Sequence, residues 1–123
     1  MTRVELEGVN ELLRELEKLG QKGSRIENSA LRKAGDKVQS AIQEEAPTRT
    51  GTLKRSIRRS NVRTEGTEKY VKVDPGKEGW YGRFVEFGTV KMSANPFMSR
   101  GYEKSKKEAA QTIASEMRKG LGL

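Results

Sequence analysis

Glu86 stands between Val85 and Phe87, a carboxylate among apolar neighbours. A side chain so placed could act as a general acid if a complementary base or nucleophile stood beside it. The surrounding residues offer neither. Two readings remain. Glu86 is either an exposed carboxylate on a short amphipathic turn, or a partly buried one paired with Arg49, Arg83 or an arginine of a neighbouring subunit. A buried pair of the second kind fixes orientation more than it adds stability.

The second group with chemical potential is basic. Lys54, Arg55, Arg58, Arg59 and Arg63 crowd into ten residues, with Arg49 just before them. Three readings fit this run. It could be a solvated strand edge, where cations block unwanted pairing. It could contact an acidic neighbour, or it could line a path for DNA. No helix-turn-helix or zinc-finger pattern accompanies it, so base-specific reading is not expected. Neither Thr50-Gly51 nor Gly88-Thr89 belongs to a phosphate loop, because no G-x-x-x-x-G-K-[ST] occurs. Both read as turns, with the glycines at positive φ and Thr50 as a helix cap.

Five of the seven aromatic residues, Trp80, Tyr81, Phe84, Phe87 and Phe97, lie in the single stretch Trp80 to Met98. Aromatic side chains dominate both cores and interfaces. Phe84, Phe87 and Phe97 read most simply as core, with anchoring of a subunit contact as the alternative. Trp80, after Gly79 at a loop end, is the aromatic most expected to touch a partner.

The bulk numbers narrow the classes. The chain has 123 residues, a one-domain length. It is 34% charged and only 33% hydrophobic, so a thin core is expected. It has no cysteine and no histidine. Disulfides, thiolate metal sites and imidazole chemistry are thereby excluded, and no cofactor is expected. No transmembrane run or signal peptide is read, and the polar start MTRVELEGV fits a chain made in a cytoplasm, without a membrane partner. The net charge of +8 lies in the middle and end of the chain, since residues 1–46 carry nine acidic against eight basic groups. Such an excess favours nucleic acid or an acidic protein face and does not choose between them.

These side chains must be positioned by a small set of elements. Arg3 to Glu7 alternates as a short strand. Val9, Leu12, Leu13, Leu16 and Leu19 fall at helical spacing, with Asn10 as a possible cap and Gly20 as the stop. Ser24 and Glu27 form a capping-box pattern for a longer helix running to about Ala46, before Pro47. Its stripe of Ile26, Ala30, Leu31, Ala34, Val38, Ala41 and Ile42 is rich in alanine, so another element must approach closely. Gly35 fits the same close packing. A brief helical turn follows through Leu53 and Ile57. Strands over 57–64 and 68–74 are expected, joined as a hairpin at Glu65-Gly66-Thr67. Tyr81 to Phe87 reads as a short helix in preference to a strand, and Thr89 to Ala94 as extended. Asn95 would cap a last helix with Pro96 in its first position. The result is an α+β chain of one domain, residues 1–123. A small antiparallel sheet packs on one long helix, with a short N-terminal helix and a C-terminal helix.

Three segments resemble those of a known family. Ala46-Pro47-Thr48-Arg49-Thr50-Gly51-Thr52-Leu53 with Ser56-Ile57 is similar to its first element. Tyr81-Gly82-Arg83-Phe84-Val85-Glu86-Phe87-Gly88-Thr89 is similar to its second, and Ala94-Asn95-Pro96-Phe97-Met98 to its third. The family is the minor structural, head–tail joining proteins (neck or tail completion) of long-tailed bacteriophages and prophages. Order, spacing and length match over nearly the whole chain. Gly82, Ser93 and Gly101 depart from it, standing where alanine, proline and alanine are usual.

The resemblance implies a virion structural protein with no catalysis, a ring-forming subunit at the head–tail junction. It implies assembly in the host bacterial cytoplasm, other neck and tail proteins as partners, a homo-oligomer on assembly and a monomer when isolated, with any DNA contact non-specific. The expected subunit contacts are Trp80, Tyr81, Phe84, Glu86, Phe87, Thr89 and Phe97. The expected basic contact surface is Arg49, Lys54, Arg55, Arg58, Arg59 and Arg63. The rival reading is a basic nucleic-acid-binding module, which predicts affinity falling steeply with salt.

Overall fold

The computed structural model describes residues 9–48 and 51–123. The strand expected at Arg3 to Glu7 and the contacts and cap expected of Arg49 and Thr50 lie outside them. The rest is five helices and four short strands: α1 (Val9–Glu17), α2 (Gln21–Glu45), α3 (Thr52–Ser56), β1 (Ile57–Arg59), β2 (Arg63–Glu65), β3 (Glu68–Tyr70), β4 (Val73–Pro75), α4 (Gly82–Phe87) and α5 (Phe97–Gly120). A 3₁₀ turn, Lys77–Gly79, leads into α4. Among the described residues no helix is long and apolar enough to cross a membrane.

α2 and α5 form the largest interface of the molecule. The alanine stripe explains why. Ala30 and Ala34 on α2 are buried, as are Ala109 and Ala110 on α5, and small side chains let helix axes come close. Leu16 from α1 joins them with Ile113 and Met117 in one core cluster. The two helices come into backbone contact at Gly101. A Cβ there would stand 2.5 Å from the Ile42 Cα and 2.7 Å from its backbone nitrogen. The absence of a side chain at Gly101 is what admits α5 onto α2.

The second core cluster lies at the other end of α2. Ile42, Ala46, Leu53, Ile57 and Phe97 bury one another, and Tyr81 and Val85 pack against them. The β-ribbon lies on α2 next to this cluster. The Gln39 and Gln43 side-chain amides both donate to the Ile57 carbonyl, at 3.0 and 3.2 Å. Gly35 admits the ribbon, since a Cβ there would come 2.7 Å from Arg59 Cδ and 2.8 Å from a Val71 methyl.

Four local expectations are corrected. α2 begins at Gln21 straight after Gly20, so Ser24 is already inside the helix and its amide donates to the Gly20 carbonyl at 3.0 Å. No capping box forms. Ser24, Glu27 and Asn28 instead hold the Lys69 ammonium of β3, with Oγ at 2.7 Å, Oε2 at 3.5 Å and Oδ1 at 3.0 Å. The hairpin turns at Gly66-Thr67 as expected, but its two strands are each broken. β1 pairs with β4 and β2 with β3, both antiparallel. Between the ladders Asn61 and Val62 stand opposite Val71 alone, the geometry of a bulge, which interrupts pairing and bends the ribbon. The segment after α4 is not simply extended, because Thr89 and Met92 bridge across a tight turn. Finally, α5 starts at Phe97, one residue later than expected. Pro96 is its flanking residue, and the Asn95 side chain accepts from Arg100 at 2.6 Å instead of capping the helix.

Candidate subunit-contact surface

α4 has two faces because its side chains follow helical spacing. Tyr81 and Val85 turn inward onto the cluster around Phe97. Trp80, Phe84 and Phe87 turn outward and are 70%, 38% and 79% exposed. Trp80 meets Phe84 edge-on at 6.2 Å between ring centroids, and the Arg83 guanidinium lies 5.4 Å from the Phe84 centroid. Gly88 stops the helix at φ 77°, its amide donating to the Phe84 carbonyl at 2.8 Å. The turn that follows puts Val90 at a fully exposed tip, with Met92 partly exposed beside it. Five large apolar side chains thus face outward within thirteen residues. Large exposed apolar patches mark interaction sites more often than scattered single residues do.

Glu86 sits under this surface and is buried. One carboxylate oxygen accepts the Met98 amide at 2.8 Å. The other accepts the Ser99 hydroxyl at 2.6 Å and the Ser99 amide at 3.3 Å. Those amides are unpaired donors of the first turn of α5, where the helix dipole favours negative charge. The Asn95 amide adds a bond to the Val85 carbonyl at 2.7 Å. The exposed reading of Glu86 is overturned, and of the arginines expected to pair with it Arg49 lies outside the described residues. The partners of Glu86 among the described residues are a helix end and a hydroxyl, not Arg83, whose guanidinium lies over Phe84.

The remaining expected contacts divide. Phe97 has no exposed surface and belongs to the core. The core expectation for Phe84 and Phe87 is reversed, since both are exposed. Thr89 is exposed, and its hydroxyl accepts the Lys91 amide at 3.2 Å as part of the turn. Val90 and Met92 were missed. The available signal was an apolar residue at the tip of a polar turn.

The basic run does not form one face. Residues of a strand point alternately to opposite sides. Arg58 is exposed and reaches Glu78 at 3.6 Å, whereas Arg59 turns back to Asp36 on α2 and to the Ser60 carbonyl. Lys54 and Arg55 are exposed on α3, and Arg63 is exposed on β2. Elsewhere, charges across the α2–α5 seam satisfy one another. Lys33 meets Glu116 at 2.9 Å and Lys37 meets Glu108 at 3.1 Å, and the lysine's hydrogen bond holds the Glu116 carboxyl below its ordinary range.

Residues 10–88, from the start of α1 to the glycine that ends α4, match the model of the HK97-gp10-like family, described as bacteriophage HK97-gp10 and a candidate tail component. No curated protein and no solved structure matches the chain. The match spans more than half of the sequence and includes the short helix that carries the outward aromatic side chains, and the chain belongs to the HK97-gp10-like family of bacteriophage tail components.

Proposed function

We propose that this subunit works as an architectural part of the virion, one copy of a ring at the head–tail junction that joins neighbours by shape and transforms no substrate. The observation that carries the reading is the outward aromatic face formed by Phe84 and Phe87 of α4 with Trp80 just before it, held on a helix whose other face is locked to the core. Rigid aromatic side chains on a fixed platform bury large areas on docking at little cost in lost rotamer freedom. The family's place among tail components supports the same reading.

The test is complementation of a phage lacking this gene. Trp80→Glu and Phe87→Glu should fold normally, since both side chains face water, yet leave filled heads and finished tails unjoined in electron micrographs. Normal infectious particles from both variants would overturn the reading. The rival, a basic nucleic-acid-binding module, is favoured only by the exposed Lys54, Arg55, Arg58 and Arg63. It requires the isolated subunit to hold DNA tightly at physiological salt, which a filter-binding titration measures.

A further inference from the structure

We infer that the aromatic face of α4 docks on a different protein, one whose contact surface carries carboxylates among apolar side chains, and not on a second copy of this chain. The inference rests on the proposed architectural role and names the neighbour that this face meets. Within residues 77–92 the charged side chains are Lys77, Glu78, Arg83, Glu86 and Lys91. Glu86 is withdrawn from the surface, because it is buried and spent on the start of α5. Glu78 is shared with Arg58. What a docking partner meets is therefore an apolar stretch interspersed with exposed Lys77, Arg83 and Lys91 and with the exposed Glu78–Arg58 pair, so that cations outnumber the free carboxylates. Beside it, α3 adds exposed Lys54 and Arg55, because Ser56 and Leu53 pack against Gly79 and Gly82.

A second copy is a poor match for such a surface. Pairing the face with itself would set these cations against their own images, and like charges brought together across an interface are costly. Docking it elsewhere on a sibling meets few unengaged carboxylates: among the described residues Glu11, Glu17, Glu44 and Asp74 are exposed without an ion pair, and they stand one or two to an element, on α1, α2 and β4. Asp36, Glu45, Glu103, Glu108 and Glu116 each hold a lysine or arginine of their own chain. A protein surface with unengaged carboxylates among apolar side chains fits the apolar stretch and its cations together. DNA would satisfy the cations and leave five apolar side chains without a matching surface.

Photo-crosslinking in assembled particles tests this. Phe87→p-benzoylphenylalanine keeps an aromatic ring at the position, and Val90→p-benzoylphenylalanine probes the turn. Irradiated particles should yield an adduct with another phage protein, in a segment that mass spectrometry finds net negative. An adduct with this same chain, with DNA or with a neutral or basic segment overturns the inference. So does the lack of any adduct in particles that contain the chain. Particles without the chain would instead count against the proposed function. A second measurement isolates the charge. Arg83→Glu with Lys91→Glu should cut joined particles about tenfold, while Arg83→Lys with Lys91→Arg should leave them unchanged. Equal yields from the two pairs overturn the inference.

Discussion

Replacing Glu86 with alanine would leave the Met98 and Ser99 amides and the Ser99 hydroxyl without their acceptor. A buried donor stripped of its partner costs about 1–3 kcal/mol, so Glu86→Ala should lower the urea midpoint with its slope unchanged. Glu86→Gln keeps one acceptor oxygen and should fall between the two. Phe87→Ser, at an exposed position, should stay within about 0.5 kcal/mol of the parent. The contrast between neighbouring residues is the check. If Phe87→Ser were the more damaging to stability, the inward and outward faces would be misassigned. The sequence could not show this division, because the partners of Glu86 begin twelve residues downstream. A carboxylate beside two apolar residues looks the same whether it meets water, an arginine or a helix end. The spacing of the aromatic residues was legible, but which of them faced inward depended on the Leu53 and Phe97 surface that receives α4.

The elements were more legible than their ends. The alanine stripe of α2 required a close neighbour, and α5 supplies it. The capping-box pattern misled because a tight turn at Gly20 had already started the helix, freeing Ser24 and Glu27 for Lys69. The break in the β-ribbon was hidden, since one extra residue in a strand leaves no mark in composition. Gly101 shows how packing overrides propensity. Alanine would favour the α5 helix by about 1 kcal/mol, but its Cβ would meet the Ile42 backbone, which cannot swing aside. Overpacking costs about 1–3 kcal/mol, so Gly101→Ala should lower the melting temperature despite the better helix former. The same two helices are tied at their rim by Glu45, which takes Lys104 and Arg100, each at 2.8 Å. The Lys104 hydrogen bond, then that of Arg100, holds its carboxyl below its ordinary value of 4.5. A depressed carboxyl stabilises the fold above that value and loses its contribution as pH falls through the lower folded one. The difference in melting temperature between the parent and Glu45→Gln should therefore be full near neutrality and vanish in stronger acid. A difference that grew on acidification would contradict the assigned direction.

On the scale of the whole molecule, a thin core and a net charge of +8 shape what the isolated subunit does. Its apolar material is divided between two clusters along α2, and the large side chains that could have enlarged the second one, Trp80, Phe84 and Phe87, face outward. That arrangement would invite self-association in a neutral protein. Here the cations among those side chains oppose it, and self-repulsion of like charges weakens as salt screens it. Trp80 is the single tryptophan of the chain, so its fluorescence reads this surface alone. In low salt the subunit should sediment as a monomer, its emission that of a water-exposed indole, open to collisional quenching by acrylamide. In particles that contain the chain, Trp80 should be shielded from the same quencher, because the proposed contact covers it. Differences in shielding follow from docking and not from folding, since the indole is exposed in the folded subunit. A Trp80 already shielded in the dilute monomer would mean that the face is closed by the chain itself, and one still open in the particle would mean that the junction is made elsewhere on the molecule.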